Sequence, residues 1–268
     1  MNRKYIYPLL FVAATVIIYF ADDFVNEQVR QPDIESGKIA KPTANNFFLP
    51  TSTTGEIVYH NYYTLSYSEK DEQAEWVAYE LKQDELSDNN FDRPYFEIDN
   101  AVPTKAANWR NYKNSGYDRG HLCPAGDRRF DKQAYLETFL TSNITPQLHD
   151  FNSGVWNRLE QQVRRWAKEY DGVYVVTGGI LNNALGSIGD EDVTVPAQFY
   201  KIILDRQGDN YKVLAFLMPH KKSTEALNSF VTTVDNIEEL TGIDFFPKLD
   251  DELETKLEAS KSYSTWNF

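Results

Sequence analysis

Three segments in the second half of the chain, each with the pattern of a β-strand, constrain the fold most. They are residues 172–178, 197–204 and 211–218. The last two are joined by the polar, glycine-containing turn 205–210, and this arrangement predicts a hairpin. We therefore expect antiparallel strands in the core of the fold.

The other segments alternate between strand-like and helical patterns. Residues 57–67 are rich in β-branched and aromatic side chains and predict a strand. Residues 68–86 predict a helix, with a strand as the alternative. Residues 87–114 form a long irregular stretch, which usually carries function or short elements. Helices are predicted over 152–170 and 230–240. This order of elements indicates an α+β fold, with a mostly antiparallel β-sheet core flanked by helices.

A single cysteine, Cys123, limits how the fold can be held together. The chain has 268 residues, of which 41% are hydrophobic, enough for the core of one large domain or two small ones. One cysteine excludes an internal disulfide and a cluster of thiolate metal ligands. Burial of apolar side chains must therefore hold the fold, and the neighbours of Cys123 do not indicate a nucleophilic thiol.

The overall charge argues against one class of nucleic-acid-binding protein. The formal net charge is −13 and the isoelectric point is about 4.8. A protein that binds phosphates through positive charge spread over its whole surface is therefore not expected. Total charge leaves open a local cationic site.

The amino terminus has the pattern of an exported or membrane-anchored protein. Arg3 and Lys4 precede an apolar run over residues 5–21. This run is long for a signal peptide and only just long enough to span a membrane. An uncleaved signal anchor is favoured over a cleaved signal peptide, and a buried core helix is the least favoured interpretation. Both leading interpretations export the rest of the chain, as a membrane-anchored, secreted or periplasmic protein. Residues 22–54 are predicted to be a linker and residues 55–268 the catalytic domain.

One of the four histidines lies in a segment with no evident packing role. His121 is part of the loop 117–129, which is rich in charge and punctuated by glycine and proline. An unburied histidine has a pKa near 6.5 and can take a proton from water at neutral pH. His60, His149 and His220 have no such surroundings and are predicted to be structural.

The segment around His121 is locally cationic. Residues 101–132 contain seven cations and three anions, a local charge of +4. Such a patch suits a phosphate-directed site, although a solvated loop of mixed charge is the simpler alternative. A cluster of amides follows at Asn143, Gln147 and Asn152. Asn152 fits either a helix cap or an oxygen ligand for magnesium.

Two blocks of sequence together resemble the DNA/RNA non-specific endonucleases, the sugar-nonspecific ββα-metal nucleases. The first is Asp118 to His121 followed by Pro124 and Asp127, and the second is residues 142–160. The similarity extends over residues 57–250. It implies a ββα-metal nuclease active site within a nuclease domain at residues 55–268.

The resemblance implies a role for each of four residues. His121 matches the general base that activates the attacking water, and Asn152 matches the single protein ligand to Mg²⁺, with Mn²⁺ as the alternative metal. Glu160 matches the acidic residue that holds metal-bound water. Arg93 is similar in position to the arginine that stabilises the transition state. On an ideal helix Glu160 would lie about 12 Å and about 80° from Asn152, which suits contact through water.

Five further residues are expected to support the site or bind substrate. Asn143 is counted with the catalytic group because its position supports the site. Arg119 is expected to act in catalysis or to bind a phosphate, and Arg128 to bind substrate. Asp118 and Gly120 are expected to organise the loop.

The resulting prediction is an exported or membrane-tethered endonuclease. It would hydrolyse phosphodiester bonds of DNA and RNA with one metal ion and a histidine base. Two alternatives remain, a phosphodiesterase of the same fold acting on small phosphoesters and a non-catalytic nucleic-acid-binding module. The sequence predicts neither a protein inhibitor nor an oligomeric state.

Overall fold

A seven-stranded antiparallel sheet forms the centre of the computed structural model, which describes residues 46–182 and 184–268. The predicted anchor at residues 1–21 and most of the predicted linker lie outside these residues. Within the described ranges, no helix combines the length and the apolar character needed to cross a membrane. The described residues belong to the compact unit Ser36–Phe268.

The described residues contain eleven strands. In chain order they are β1 (Ile57–Tyr59), β2 (Thr64–Ser68), β3 (Gln73–Leu81), β4 (Asp118–His121), β5 (Ile144–Gln147), β6 (Val173–Gly179), β7 (Ser187–Ile188), β8 (Val193–Thr194), β9 (Gln198–Gln207), β10 (Asn210–Pro219) and β11 (Val231–Thr232). The large sheet has the order β1-β2-β3-β6-β9-β10-β11, and β4-β5 and β7-β8 form separate two-stranded ribbons.

The helices are short, apart from one that packs across the sheet. The α-helices are α1 (Lys132–Glu137), α2 (Asn157–Glu169), α3 (Val234–Thr241) and α4 (Asp251–Glu258). A π-helix at Phe151–Trp156 precedes α2. Short 3₁₀ helices occur at Asn46–Phe48, Gln83–Glu85, Trp109–Tyr112, Ala125–Asp127, Thr141–Asn143 and Leu227–Phe230.

The predicted hairpin is formed by β9 and β10. Their register pairs Gln207 with Asn210 across a two-residue turn, and Gly208 adopts a φ of +64° there. A positive φ is the conformation that glycine adopts without steric cost. The α+β fold with a mostly antiparallel sheet is thereby confirmed.

Alternation along β9 divides the core into two layers. Phe199 and Ile203 belong to the apolar cluster that α2 covers, whereas Tyr200 and Ile202 belong to the cluster covered by α3 and α4. Successive strand residues point to opposite faces of a sheet. The sheet is therefore covered by helices on both sides, and α2 lies on the face opposite α3 and α4.

The three predicted helices were wrong in type or in extent. The helix predicted over 68–86 is the strand β3, buried along nearly its whole length, and a strand buried on both faces has no period of two to reveal it. The helix predicted over 152–170 is interrupted at Gly154, where φ is −99° and ψ is −110°. The third helix begins at Val234 rather than Phe230, because Thr233 caps it by accepting a hydrogen bond from the Asn236 N–H.

Candidate active site

The candidate catalytic segment forms one strand of the ribbon β4-β5. Gly120 lies opposite Thr145, and the side chain of Gln147 crosses directly over it. A Cβ atom on residue 120 would lie 2.2 Å from Gln147 Cδ. Glycine is therefore needed here for close packing between the strands.

His121 is held by two aromatic rings beside the ribbon. Its ring centroid lies 5.5 Å from that of Phe96 and 5.0 Å from that of Phe139. Its Nε2 atom is buried, with no hydrogen-bond partner among the described residues. Burial and the charge of Arg93 lower the pKa of His121 to about 3. The imidazole is therefore neutral at physiological pH, with a nitrogen available to accept a proton.

Two arginines share the aromatic surface that supports His121. The Cζ atom of Arg93 lies 5.8 Å from the centroid of the Phe96 ring, and that of Arg119 lies 5.5 Å from the same centroid. Arg119 also donates two hydrogen bonds to the Trp109 carbonyl oxygen. Burial and the charge of Arg93 lower the pKa of Arg119. Neither guanidinium pairs with a carboxylate within residues 46–182 and 184–268, so both remain available to an anion.

Asp118 orients the amide of Asn152. The Asn152 Nδ2 group donates to Asp118 Oδ2 at 3.0 Å, and the same carboxylate oxygen lies 2.9 Å from His149 Nδ1. Since the amide nitrogen makes this bond, the network assigns Oδ1 to the end of the amide directed away from Asp118. That oxygen can serve as a ligand for a cation.

Asp118, which holds Asn152, and His121 lie at opposite ends of the short strand β4. Arg119 and His121 alternate along β4 with Asp118 and Gly120. The Cα atoms of Asp118 and His121 are separated by three strand steps, about 10 Å.

Glu160 lies in the first turn of α2, close to a buried lysine. Burial raises the pKa of Glu160 to about 7, against the opposing effect of Lys201. Lys201 is fully buried in β9, with its Nζ atom 4.6 Å from the centroid of the Trp156 ring. Lys201 was not predicted. Its only indication in the sequence is a lone cation within the apolar segment 199–204.

The π-helix changes the expected relation between Asn152 and Glu160. The estimate of about 12 Å and about 80° assumes a continuous α-helix. The break at Gly154 lies between the two residues, so that estimate does not apply. π-Turns within helices are frequent at functional sites.

Asn143 supports the site through the main chain. The residue is fully buried. Its Nδ2 donates to the carbonyl oxygens of Thr138 and Cys123, and its Oδ1 accepts from the Cys123 N–H. These contacts with the main chain leave it no access to substrate. Asn143 positions the segment that follows His121.

The prediction that Arg128 binds substrate was wrong. Its side chain is buried, with the Cζ atom 4.8 Å from the centroid of the Tyr79 ring. Its Nη2 donates to the carbonyl oxygens of Tyr62 and Glu80, and its Nη1 lies 3.4 Å from Glu85 Oε2. The guanidinium joins strands and loops within the core and cannot meet a nucleic acid.

Three other reactive side chains have structural partners. His60 Nε2 lies 2.9 Å from Asp99 Oδ2. His220 accepts from the Leu148 N–H and lies against the Pro196 carbonyl oxygen. Cys123 is buried, which raises its thiol pKa to about 12. The structure thus gives none of these three a role in a reaction.

Known proteins are similar in sequence to the region of the chain that contains the candidate active site. The sequence pattern of the DNA/RNA non-specific endonucleases matches residues 41–252. The mitochondrial nuclease EXOG of Mus musculus is 32% identical over 248 residues, which cover 82% of this chain and 67% of that protein. Nuclease C1 of Cunninghamella echinulata var. echinulata is 36% identical over 205 residues, covering 70% of this chain and 81% of that protein.

A solved structure has the same fold. The crystal structure of the EndoG/EndoGI complex superposes with a TM-score of 0.72 and 29% identity. The alignment covers 79% of this chain and 94% of that one. The chain spans 64% of the length of the human EXOG protein.

Proposed function

This chain belongs to the DNA/RNA non-specific endonuclease family and is a nuclease; on that premise we propose that it hydrolyses phosphodiester bonds in DNA and RNA with His121 as general base. One observation carries this proposal. A neutral histidine with an unpaired, buried Nε2 lies beside Arg93, and Arg93 and Arg119 have no carboxylate partner among the described residues.

The two arginines account for binding of an anion by an acidic protein. A phosphodiester carries one negative charge and would be attracted to two guanidinium groups that are not neutralised locally. Contacts of this kind read the backbone rather than the bases. They support cleavage without sequence preference.

His121 accounts for activation of water. In its neutral form the His121 ring accepts a proton from a water molecule, whose oxygen then attacks phosphorus. The negative charge of the bound phosphate opposes the effect of Arg93 and makes protonation of the ring easier. Arg93 and Arg119 in turn stabilise the charge that accumulates on the phosphate oxygens during attack.

The residues present fit a magnesium ion. Asn152 would provide a neutral oxygen ligand, fixed in direction by Asp118, and Glu160 would hold water on the ion. Magnesium prefers hard oxygen donors and usually keeps several waters. When bound, Mg²⁺ or Mn²⁺ would polarise the phosphate and stabilise the leaving oxygen.

The amino terminus supports a proposal about location. Positive charge before the apolar run 5–21 favours export of the nuclease domain across the cytoplasmic membrane, with the run as an anchor. Protease treatment of cells whose cytoplasmic membrane alone is intact should then degrade the nuclease domain. Protection of the domain until that membrane is broken would contradict export.

The proposed activity is tested with the purified full chain on three substrates. Supercoiled plasmid, single-stranded RNA and a small chromogenic phosphodiester are incubated with Mg²⁺, Mn²⁺, Ca²⁺ or a chelator. We expect cleavage of both polymers with Mg²⁺ and none with the chelator. Cleavage of the small diester alone would instead assign a phosphodiesterase. Binding without cleavage in any metal would indicate a binding module.

A further inference from the structure

Five carboxylates converge at the carboxyl-terminal end of the molecule. They form two groups of three that share Glu258, and the oxygens within each group lie within 4.8 Å of one another. We call these residues the acidic cluster: Asp235, Glu238, Asp244, Glu254 and Glu258.

The fold holds the acidic cluster on three connected segments. Asp235 and Glu238 are one turn apart on α3, and Glu254 and Glu258 are one turn apart on α4. Asp244 lies in the connecting loop, where its carbonyl oxygen accepts from the Thr51 N–H at 2.8 Å. The carboxylates are thus brought together by ordered backbone.

The apolar residues beneath the cluster keep its two helices in place. Ile237 of α3 and Leu257 of α4 both pack into the core on one face of the sheet. Asn152 and Glu160 flank Phe151 and Leu159, which belong to the core on the other face. The acidic cluster is therefore separate from the candidate active site.

The burial of Glu258 indicates a ligand at the cluster. Its side chain is only 7% exposed, and its Oε1 atom is buried without a hydrogen-bond partner among the described residues. Glu254 Oε1 is buried and unpartnered in the same way. Buried carboxylates are almost always paired or bound to a metal. A bound cation would satisfy both of these oxygens.

The described residues provide no cation for the cluster. None of its five carboxylates belongs to an ion pair within the described ranges, and Glu238 Oε1 accepts one hydrogen bond, from the Phe245 N–H at 2.8 Å. Burial and the four neighbouring carboxylates raise the pKa of Glu258 to about 8. Without a cation, a proton on Glu258 therefore relieves this repulsion at neutral pH, and a bound divalent cation would take the place of that proton.

We propose that the acidic cluster binds a divalent cation of the calcium class, with Glu258 as the shared ligand. Calcium accepts six to eight oxygens in irregular arrangements, whereas magnesium demands a near-ideal octahedron and tends to retain its water. A ring of carboxylates from two helices and a loop suits the first description. The ion would join α3, the loop and α4, and so stabilise this end of the domain rather than take part in catalysis.

The test separates this site from the active-site metal by using the full chain with Asn152→Ala as the parent. Calcium binding is measured by titration calorimetry and by the shift of the unfolding temperature at millimolar Ca²⁺. Glu258→Gln is added to the parent in one variant. Glu252→Gln, an exposed residue on the same helix outside both groups, is the matched control.

We expect calcium to raise the unfolding temperature of the parent and of the Glu252→Gln control by several degrees. Glu258→Gln should bind calcium at least about tenfold more weakly and lose the shift. Without calcium it should be about as stable as the parent, because the amide replaces a carboxyl group that is largely protonated at pH 7, which separates loss of the site from loss of folding. No calcium response in the parent, or an equal response in Glu258→Gln, would overturn the proposal.

Discussion

The candidate active site and the acidic cluster differ in the sign of the charge that they leave unpaired. Beside His121, Arg93 and Arg119 rest on aromatic rings without a carboxylate. At the other site, Glu254 and Glu258 bury oxygens without a cation. Both lie in a chain with a net charge of −13. The local unpaired charge, rather than the total, indicates which ligand each region can take.

Arg128 shows what a buried charge does when it has partners. Arg128 lies in the same cationic stretch of sequence as Arg119, but its guanidinium donates to Tyr62 and Glu80 and pairs with Glu85. Its hydrogen bonds are used to hold the core. The role of an arginine therefore follows from whether its guanidinium is paired. Substitutions of the paired and of the unpaired arginines test this.

The largest effect is expected from the arginines without partners. Arg93→Ala combined with Arg119→Ala should lower kcat/KM for plasmid cleavage by at least about 10³, since loss of one such charge-stabilising group costs about 10² to 10³. The measurement is an initial rate at saturating Mg²⁺. Arg165→Ala, on the exposed side of α2, is the matched control and should cut at the normal rate. A double variant within tenfold of wild type would remove these arginines from the chemistry.

The arginine with partners should affect stability instead. Arg128→Met leaves two partly buried carbonyl oxygens without their donor and removes one of the two cations beside Glu85, which should cost about 2–4 kcal/mol of unfolding free energy, at about 1–3 kcal/mol for each unsatisfied group. Urea unfolding gives this value. The fraction that remains folded should keep a normal KM. An unchanged stability with a raised KM would instead return Arg128 to the substrate-binding group.

A smaller effect is expected from the ribbon that joins the two halves of the site. Gly120→Ala places a Cβ atom 2.2 Å from Gln147 Cδ, and overpacking of this kind costs about 1–3 kcal/mol. Both the unfolding temperature and kcat should fall, because the same strand carries His121 and orients Asn152. Shortening the partner by Gln147→Ala in the Gly120→Ala background should recover part of the stability. No change in either variant would show that the ribbon tolerates movement.

The smallest effect is expected from titration of Glu160. Its pKa is raised to about 7, so the carboxylate form needed to hold metal-bound water is lost as the pH falls below about 7. Activity should then fall by up to about tenfold per pH unit. The pKa of His121, lowered to about 3, keeps the base neutral throughout this range. Glu160→Gln should be slow but flat between pH 6 and 8. An unchanged acidic limb in that variant would assign the titration to another group.

The elements of the fold that could be predicted are those determined by residues adjacent in sequence. The hairpin β9-β10 follows from a turn at Gly208 and the strand-like residues on either side. The strand β3 was mistaken for a helix because both its faces are buried. The break at Gly154 could not be predicted, because the π-helix depends on packing rather than on a local pattern.

The residues of the candidate active site could likewise be predicted only where the indication was local. His121 was identified from its neighbours in sequence, and the fold brings Arg93 to it from a distant loop. Lys201 was missed because Glu160, the carboxylate that most opposes the lowering of its pKa, lies on a different element. Arg128 was misassigned because a run of charges does not reveal which side chains point into the core.

One measurement tests the central claim most directly: the rate of plasmid nicking by wild type, His121→Ala and Asn152→Ala as the Mg²⁺ concentration is raised. If His121 is the base and Asn152 a metal ligand, the histidine variant should be slower by about 10² to 10⁴ at every concentration. The asparagine variant should need more Mg²⁺ and recover part of its rate when it is supplied. Near-normal cutting by His121→Ala would contradict the account.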